Sequence, residues 1–330
     1  MTWMTPIVAA LTVGQTLAQD AGKPVLVSTA CAELNRTVMA HLANGKLREG
    51  ELALAAFLVA DDDRASESCA GLVLNNMAAL LSISGRVADA ERLAERSVLI
   101  LDKAYSPDDV VLLRPLQTLA AARFEQGKTA RAREALKRMQ SIQIQRPEDH
   151  ALVHGMAAAL FEREGKRLEA EGEYLAAFRA WEEAGRGETA EAAATLNGLG
   201  SLYIELGRLT EAQQALDRSL AIFSSAKDTV PTDHIKLLQV RGVLHAWQGD
   251  WRKAEQDFHA ALSMSDLEPW VDPIALRPLL IRYAYILRKN HHGREARSIE
   301  VRAAALQTGG PATAIVDITE LLPKTKPAKK

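Results

Sequence analysis

Few residues in this chain have the type and spacing that could do chemistry. His150 and His154 stand four apart, the interval that puts two imidazoles on one helix face as metal ligands. No third ligand lies nearby in sequence, and His150 falls in a stretch read as a linker, so no metal is assigned to the pair. His291-His292 read as solvated turn residues, Glu162-Arg163-Glu164 as a solvated helix end, and Glu182-Glu183 as exposed charge. Gly198-Leu199-Gly200 has two glycines of a phosphate-cradling loop, but apolar residues at helical spacing flank it where that loop needs a preceding strand. No Gly-x-Ser-x-Gly elbow occurs. The reading is of a non-catalytic protein with no cofactor and no metal.

What would have to position such residues is helical. The 330 residues are 48% hydrophobic and 25% charged, with 40 basic against 42 acidic side chains and a net charge of −2. That composition excludes a wholly disordered chain and a multi-span membrane protein, and it provides no global field for nucleic acid. Ala, Leu, Glu and Arg recur throughout, the mixture that helices prefer.

One element recurs along the chain: a Gly followed five residues later by an Ala. It is anchored at Gly45, Gly85, Gly127, Gly165, Gly207 and Gly249, with a degenerate copy at His291. Successive anchors are separated by 40, 42, 38, 42, 42 and 42 residues. Upstream of each anchor, apolar residues recur at helical spacing, as in Leu196, Leu199, Tyr203 and Leu206. The Gly ends that helix with a left-handed cap, and a second amphipathic helix follows. Its Ala (Ala90, Ala132, Ala170, Ala212, Ala254, Ala296) is placed where two helices cross and only a small side chain fits. A hairpin of this kind cannot bury its apolar stripe alone, so stacked neighbours are expected to build one continuous core.

Leu196, Leu199, Gly200, Tyr203, Gly207, Leu209, Ala212, Leu216 and Ser219 resemble the signature of the tetratricopeptide repeat. The spacing near 42 is similar to the longer variant of kinesin light chains, as are Leu74-Asn75-Asn76 and the Asp149-His150 and Asp233-His234 pairs. The resemblance covers Cys31 to Leu306 and implies an all-α, right-handed superhelical solenoid of about seven helix-turn-helix repeats. Gly50 stands in the first repeat where Ala is expected.

The domain reading assigns residues 1–18 to a signal peptide and 19–30 to a linker. The solenoid takes residues 31–308, and residues 309–330 form a C-terminal cap segment with a basic flexible tail. Thr5 to Ala18 is apolar and uncharged, with small residues at Thr16 and Ala18 ahead of a cleavage point, although the first basic residue is Lys23. Export to periplasm or outside the cell follows from that reading, and a cytoplasmic location otherwise. The run is too short to span a bilayer, so the mature chain has no transmembrane span. The two cysteines, Cys31 and Cys69, fall near the starts of neighbouring parallel helices, which makes a disulfide geometrically possible.

In the family's geometry the first helix of each hairpin lines a concave groove. Counted back from the turn Gly, the inward positions hold Asn35, Asn75, Asn76, Arg114, Gln117, Asn197, Lys236, Gln239, Trp247, Arg282, Tyr285, Arg288 and Lys289. The amides suit an extended peptide backbone. The basic and aromatic C-terminal cluster suits an acidic segment or a terminal carboxylate. Trp251 and Trp270 are assigned to packing. The function expected is a protein- or peptide-binding scaffold in an exported or envelope-associated assembly. The alternatives are a sensor of a peptide signal, for which no DNA-reading module is found, and an enzyme working at a repeat interface.

Overall fold

The computed structural model describes residues 29–43, 47–60, 64–225, 231–267 and 276–306. The signal peptide, the C-terminal cap segment and tail, Gly45 and Trp270 lie outside the described residues. Fourteen α-helices and one short 3-10 turn, Val110–Leu112, make up the ordered elements among them, with no strand.

The helices form seven hairpins. They are α1 (Thr29–Ala43) with α2 (Leu47–Ala60), α3 (Arg64–Ile83) with α4 (Val87–Ala104), and α5 (Leu113–Glu125) with α6 (Thr129–Ser141). Then come α7 (Pro147–Arg163) with α8 (Arg167–Glu183), α9 (Ala190–Glu205) with α10 (Leu209–Ser225), α11 (Pro231–Trp247) with α12 (Trp251–Asp266), and α13 (Arg277–Lys289) with α14 (Gly293–Ala305). First helices pack side by side from α1 to α11 and form the inner layer of a right-handed solenoid, while second helices form the outer layer.

The turns explain the period. Gly85, Gly127, Gly165, Gly207 and Gly249 all have φ between 72° and 89°, a region closed to most side chains. The following residue then reaches back five positions: Arg208 N–H donates to the Tyr203 carbonyl at 2.9 Å, and Lys128 to Arg123 at 2.9 Å. This is the Schellman closure of a helix C-terminus. His291 adopts φ 63° in the last hairpin and makes the same closure, His292 N–H to Leu287 at 2.9 Å. Five residues past each anchor, Ala90, Ala132, Ala170, Ala212, Ala254 and Ala296 are all 0% exposed. A longer side chain there would overpack the crossing, at about 1–3 kcal/mol.

The core is not one spine, as the repeat pattern predicts, but two. One cluster runs from Cys31 to Leu244 and the second from Ile235 to Ala303, and Val243 packs against both. The two meet on α11, which gives Leu237, Val240 and Leu244 to the first cluster and Ile235 and Leu238 to the second. At the other end a Cys31–Cys69 disulfide ties α1 to α3, with Cα atoms 5.7 Å apart across a separation of 38 residues. In the chain-entropy picture a loop of that length stabilises the fold by about 3–4 kcal/mol.

Candidate binding groove

The inner layer of first helices is polar where a solenoid's core would be apolar. Asn75 and Asn197, each ten residues before its turn Gly, are 4% and 7% exposed. Asp233, in the first turn of α11, is 4% exposed. One oxygen of each (Asn75 Oδ1, Asn197 Oδ1, Asp233 Oδ2) is buried and finds no donor among the described residues. A buried acceptor left unpaired costs about 1–3 kcal/mol, so three in one layer require an explanation.

Acidic side chains line the central stretch. Asp149, Glu191 and Asp233 occupy one register, in the first turns of α7, α9 and α11, and all are buried. A helix N-terminus stabilises a carboxylate there. Burial nonetheless raises the Asp149 carboxyl, and it pushes Asp233 up to about 6 against the partly compensating charge of Lys236. Arg114, half-buried on α5, is lowered by its own desolvation, with Glu191 and Asp149 opposing. Further along, burial pushes Glu162 up to about 7, although Tyr174 Oη donates to its Oε2 at 2.8 Å. Burial raises Glu125 too, and Lys236 acts on it in the opposite sense. Glu125 lies on α5 and Lys236 on α11, so the superhelix brings walls three repeats apart within electrostatic range.

The C-terminal end differs. Trp247 and Tyr285 are 63% and 54% exposed, large aromatics held in water. Lys289 Nζ stands 5.4 Å from the Tyr285 ring and 5.5 Å from that of Trp251. Trp251 also meets Tyr285 edge to face, so it supports this cluster in addition to packing. Arg282 is half-buried and its pKa is lowered by desolvation. Arg288 is exposed and pairs with Glu300 on α14, at 2.7 and 2.8 Å.

The remaining sequence-selected residues divide. Asn76 Nδ2 donates to Asn35 Oδ1 at 2.7 Å, joining the first two repeats, while Gln117 is buried and Gln239 half-buried. Two readings change. His150 lies in the first turn of α7, not in a linker, and His154 Nδ1 sits 2.6 Å from Glu173. Glu162-Arg163-Glu164 is a helix end with Arg163 and Glu164 exposed, but Glu162 is half-buried and takes the Tyr174 hydrogen bond, while Arg163 stacks 3.9 Å over Phe124 and Glu164 pairs with Arg133. Sequence reasoning passed over the acidic members of the groove. The signal was available, because Glu125, Glu162 and Glu205 stand two or three residues before their turn Gly, in the register that nominated Trp247, Arg288 and Lys289.

The tetratricopeptide-repeat family model matches residues 70–144 and 149–225, the second to fifth hairpins. The chain is a tetratricopeptide-repeat protein. Among solved structures, BtubC (BKLC) from P. vanneervenii is 23% identical with a TM-score of 0.50, over 72% of this chain and 96% of that one. A Rap protein complexed with Competence and Sporulation Factor is 13% identical with a TM-score of 0.55, over 96% of both chains. The Cut9–Hcn1 hetero-tetramer of APC/C gives a TM-score of 0.59 at 11% identity, and this chain spans 52% of that one. Identities this low establish the shared fold. No protein of curated function matches the sequence. The tetratricopeptide array is thus an interaction scaffold by fold, and among its described residues no helix is long and apolar enough to cross a membrane.

Proposed function

We propose that this tetratricopeptide protein binds an extended segment of a partner protein along its inner layer, without turnover. The observation that carries the reading is the set of buried, unpaired acceptors on Asn75, Asn197 and Asp233. An extended peptide offers backbone N–H donors at regular intervals, and the first helices would have to part to admit them, because each of these oxygens is closed to solvent. Trp247, Tyr285 and Lys289 then take an apolar or acidic terminus of the segment by stacking and charge. The central carboxylates favour donor-rich or basic residues between, so the partner segment is polarised along its length.

Export fits this reading. The apolar, uncharged Thr5–Ala18 stretch suits a secretory signal, and the Cys31–Cys69 disulfide suits an oxidising compartment such as periplasm or the extracellular space. N-terminal sequencing of the mature protein tests it, with a start at Gln19 expected and a start at Met1 counting against it.

The groove is tested by selecting binders from a random peptide library on the purified chain. Asn197→Ala and Trp247→Ala should each weaken selected peptides about tenfold, about 1.4 kcal/mol, while leaving the helical circular dichroism intact. Selected peptides that bind both variants as tightly as the parent would reject the groove.

A further inference from the structure

Outside the groove, the hairpins are joined by ion pairs that recur in register. At three of the turns the residue after the anchor reaches back to the side chain six positions past the previous anchor: Lys128 to Glu91, Arg208 to Glu171, and His292 to Glu255. The rung at Arg208 is a triad. Its guanidinium bonds Glu171 at 2.9 Å and also Glu211, three residues on in the first turn of α10, at 2.8 Å. One permanent cation holds two carboxylates together there.

The last rung has the same three positions filled by His292, Glu255 and Glu295. The two carboxylates are kept and the guanidinium is replaced by an imidazole, whose neutral form has a nitrogen lone pair to offer in place of a fixed charge. His292 Nδ1 is 3.0 Å from Glu255 Oε1, and one ligand atom from each of the three residues lies within 4.8 Å of the others. Asn290 Nδ2 donates to Glu255 Oε2 at 2.5 Å and orients that carboxylate toward His292, as outer partners do at metal sites. The triad opens on a cavity of about 450 Å³ between the last two hairpins, whose lining adds a second imidazole, His259. The His259 ring is set edge-on against Tyr283.

We propose that Glu255, His292 and Glu295, with His259 in the same cavity, bind a divalent transition-metal ion of the Zn2+ type. In the last rung this ion takes the place that the Arg208 guanidinium holds two repeats earlier. A divalent cation neutralises both carboxylates and uses the lone pair that arginine lacks. Mixed nitrogen and carboxylate ligands suit Zn2+ over Mg2+. The site fastens the terminal hairpin, whose contact with the main core passes through the small second cluster.

Calorimetric titration of the untagged full chain with ZnCl2 tests this. One site is expected, with no comparable heat from MgCl2. Thermal melts should rise by about 2–4 °C when zinc is in large excess over its Kd. Glu295→Gln should weaken zinc at least tenfold. His292→Arg restores the fifth-repeat triad, so it should fold, lose the zinc site, and melt near the zinc-loaded parent with no metal added. Zinc heat unchanged in His292→Arg, equal binding of Mg2+, or no zinc binding at all would each overturn the proposal. So would a melting temperature that climbs on acidification and ignores zinc, since that would assign the rung to a proton.

Discussion

The centre of the groove and its C-terminal end fill the same repeat position with opposite chemistry. Two residues before the turn anchor, α5 and α9 carry Glu125 and Glu205, whereas α11 and α13 carry Trp247 and Lys289. In the centre, close-packed helices exclude water from Glu125 and Glu162, so these two carboxyls are raised, and side-chain oxygens in the same layer lack donors. At the C-terminal end the inner layer thins to a second, smaller core, and aromatic and cationic groups stand in solvent. One backbone period therefore yields two environments. The chemistry of a groove residue is set by how many neighbours wrap around it as much as by its own type.

The largest expected effect that separates the regions is steric. A Cβ on Gly198 would stand 2.6 Å from the buried Tyr174 ring, whose hydroxyl holds Glu162. Gly198→Val should cost about 1–3 kcal/mol in thermal or urea unfolding. Tyr285→Ala, at the exposed end, should stay within about 0.5 kcal/mol of the parent. Equal losses would erase the distinction between a packed centre and an open end.

The next effect is a pH dependence confined to the centre. Glu162 and Asp233 have folded pKa values of about 7 and about 6, above the ordinary carboxylate range. The folded state therefore binds more protons than the unfolded one between about pH 4.5 and 7. The stability from these groups is full below the unfolded pKa and is lost as pH rises through the folded one. Melting temperature should fall from pH 5 to 7.5, and Glu162→Gln with Asp233→Asn should flatten that slope. An unchanged slope in the double variant would remove the carboxylates from the account.

The smallest effect belongs to Arg288. Its pair with Glu300 is exposed, so Arg288→Ala should leave the melting temperature unaltered. It should weaken selected peptides less than Trp247→Ala does, because the guanidinium already has a partner. A larger loss than at Trp247 would move the centre of binding from the aromatics to the charge.

Much of the array was legible in the chain itself. A glycine with φ near 75° and an alanine at a helix crossing are local requirements, so Gly207 and Ala212 announce their roles by identity and spacing. The 42-residue period fixed the hairpins, and the inward register nominated Asn75, Asn197, Trp247 and Tyr285. Other features depend on partners distant in sequence. Lys236 acts on Glu125 only because the superhelix turns α11 toward α5. Glu162 reads as a helix end until Tyr174 is placed beneath it. The split of the core at Val243 and the gathering of Glu255, His292 and Glu295 around one cavity arise from how neighbouring hairpins dock. Period and turn chemistry act over a few bonds and can be read along the chain. Burial and charge act through space, across helices that sequence spacing alone does not set side by side.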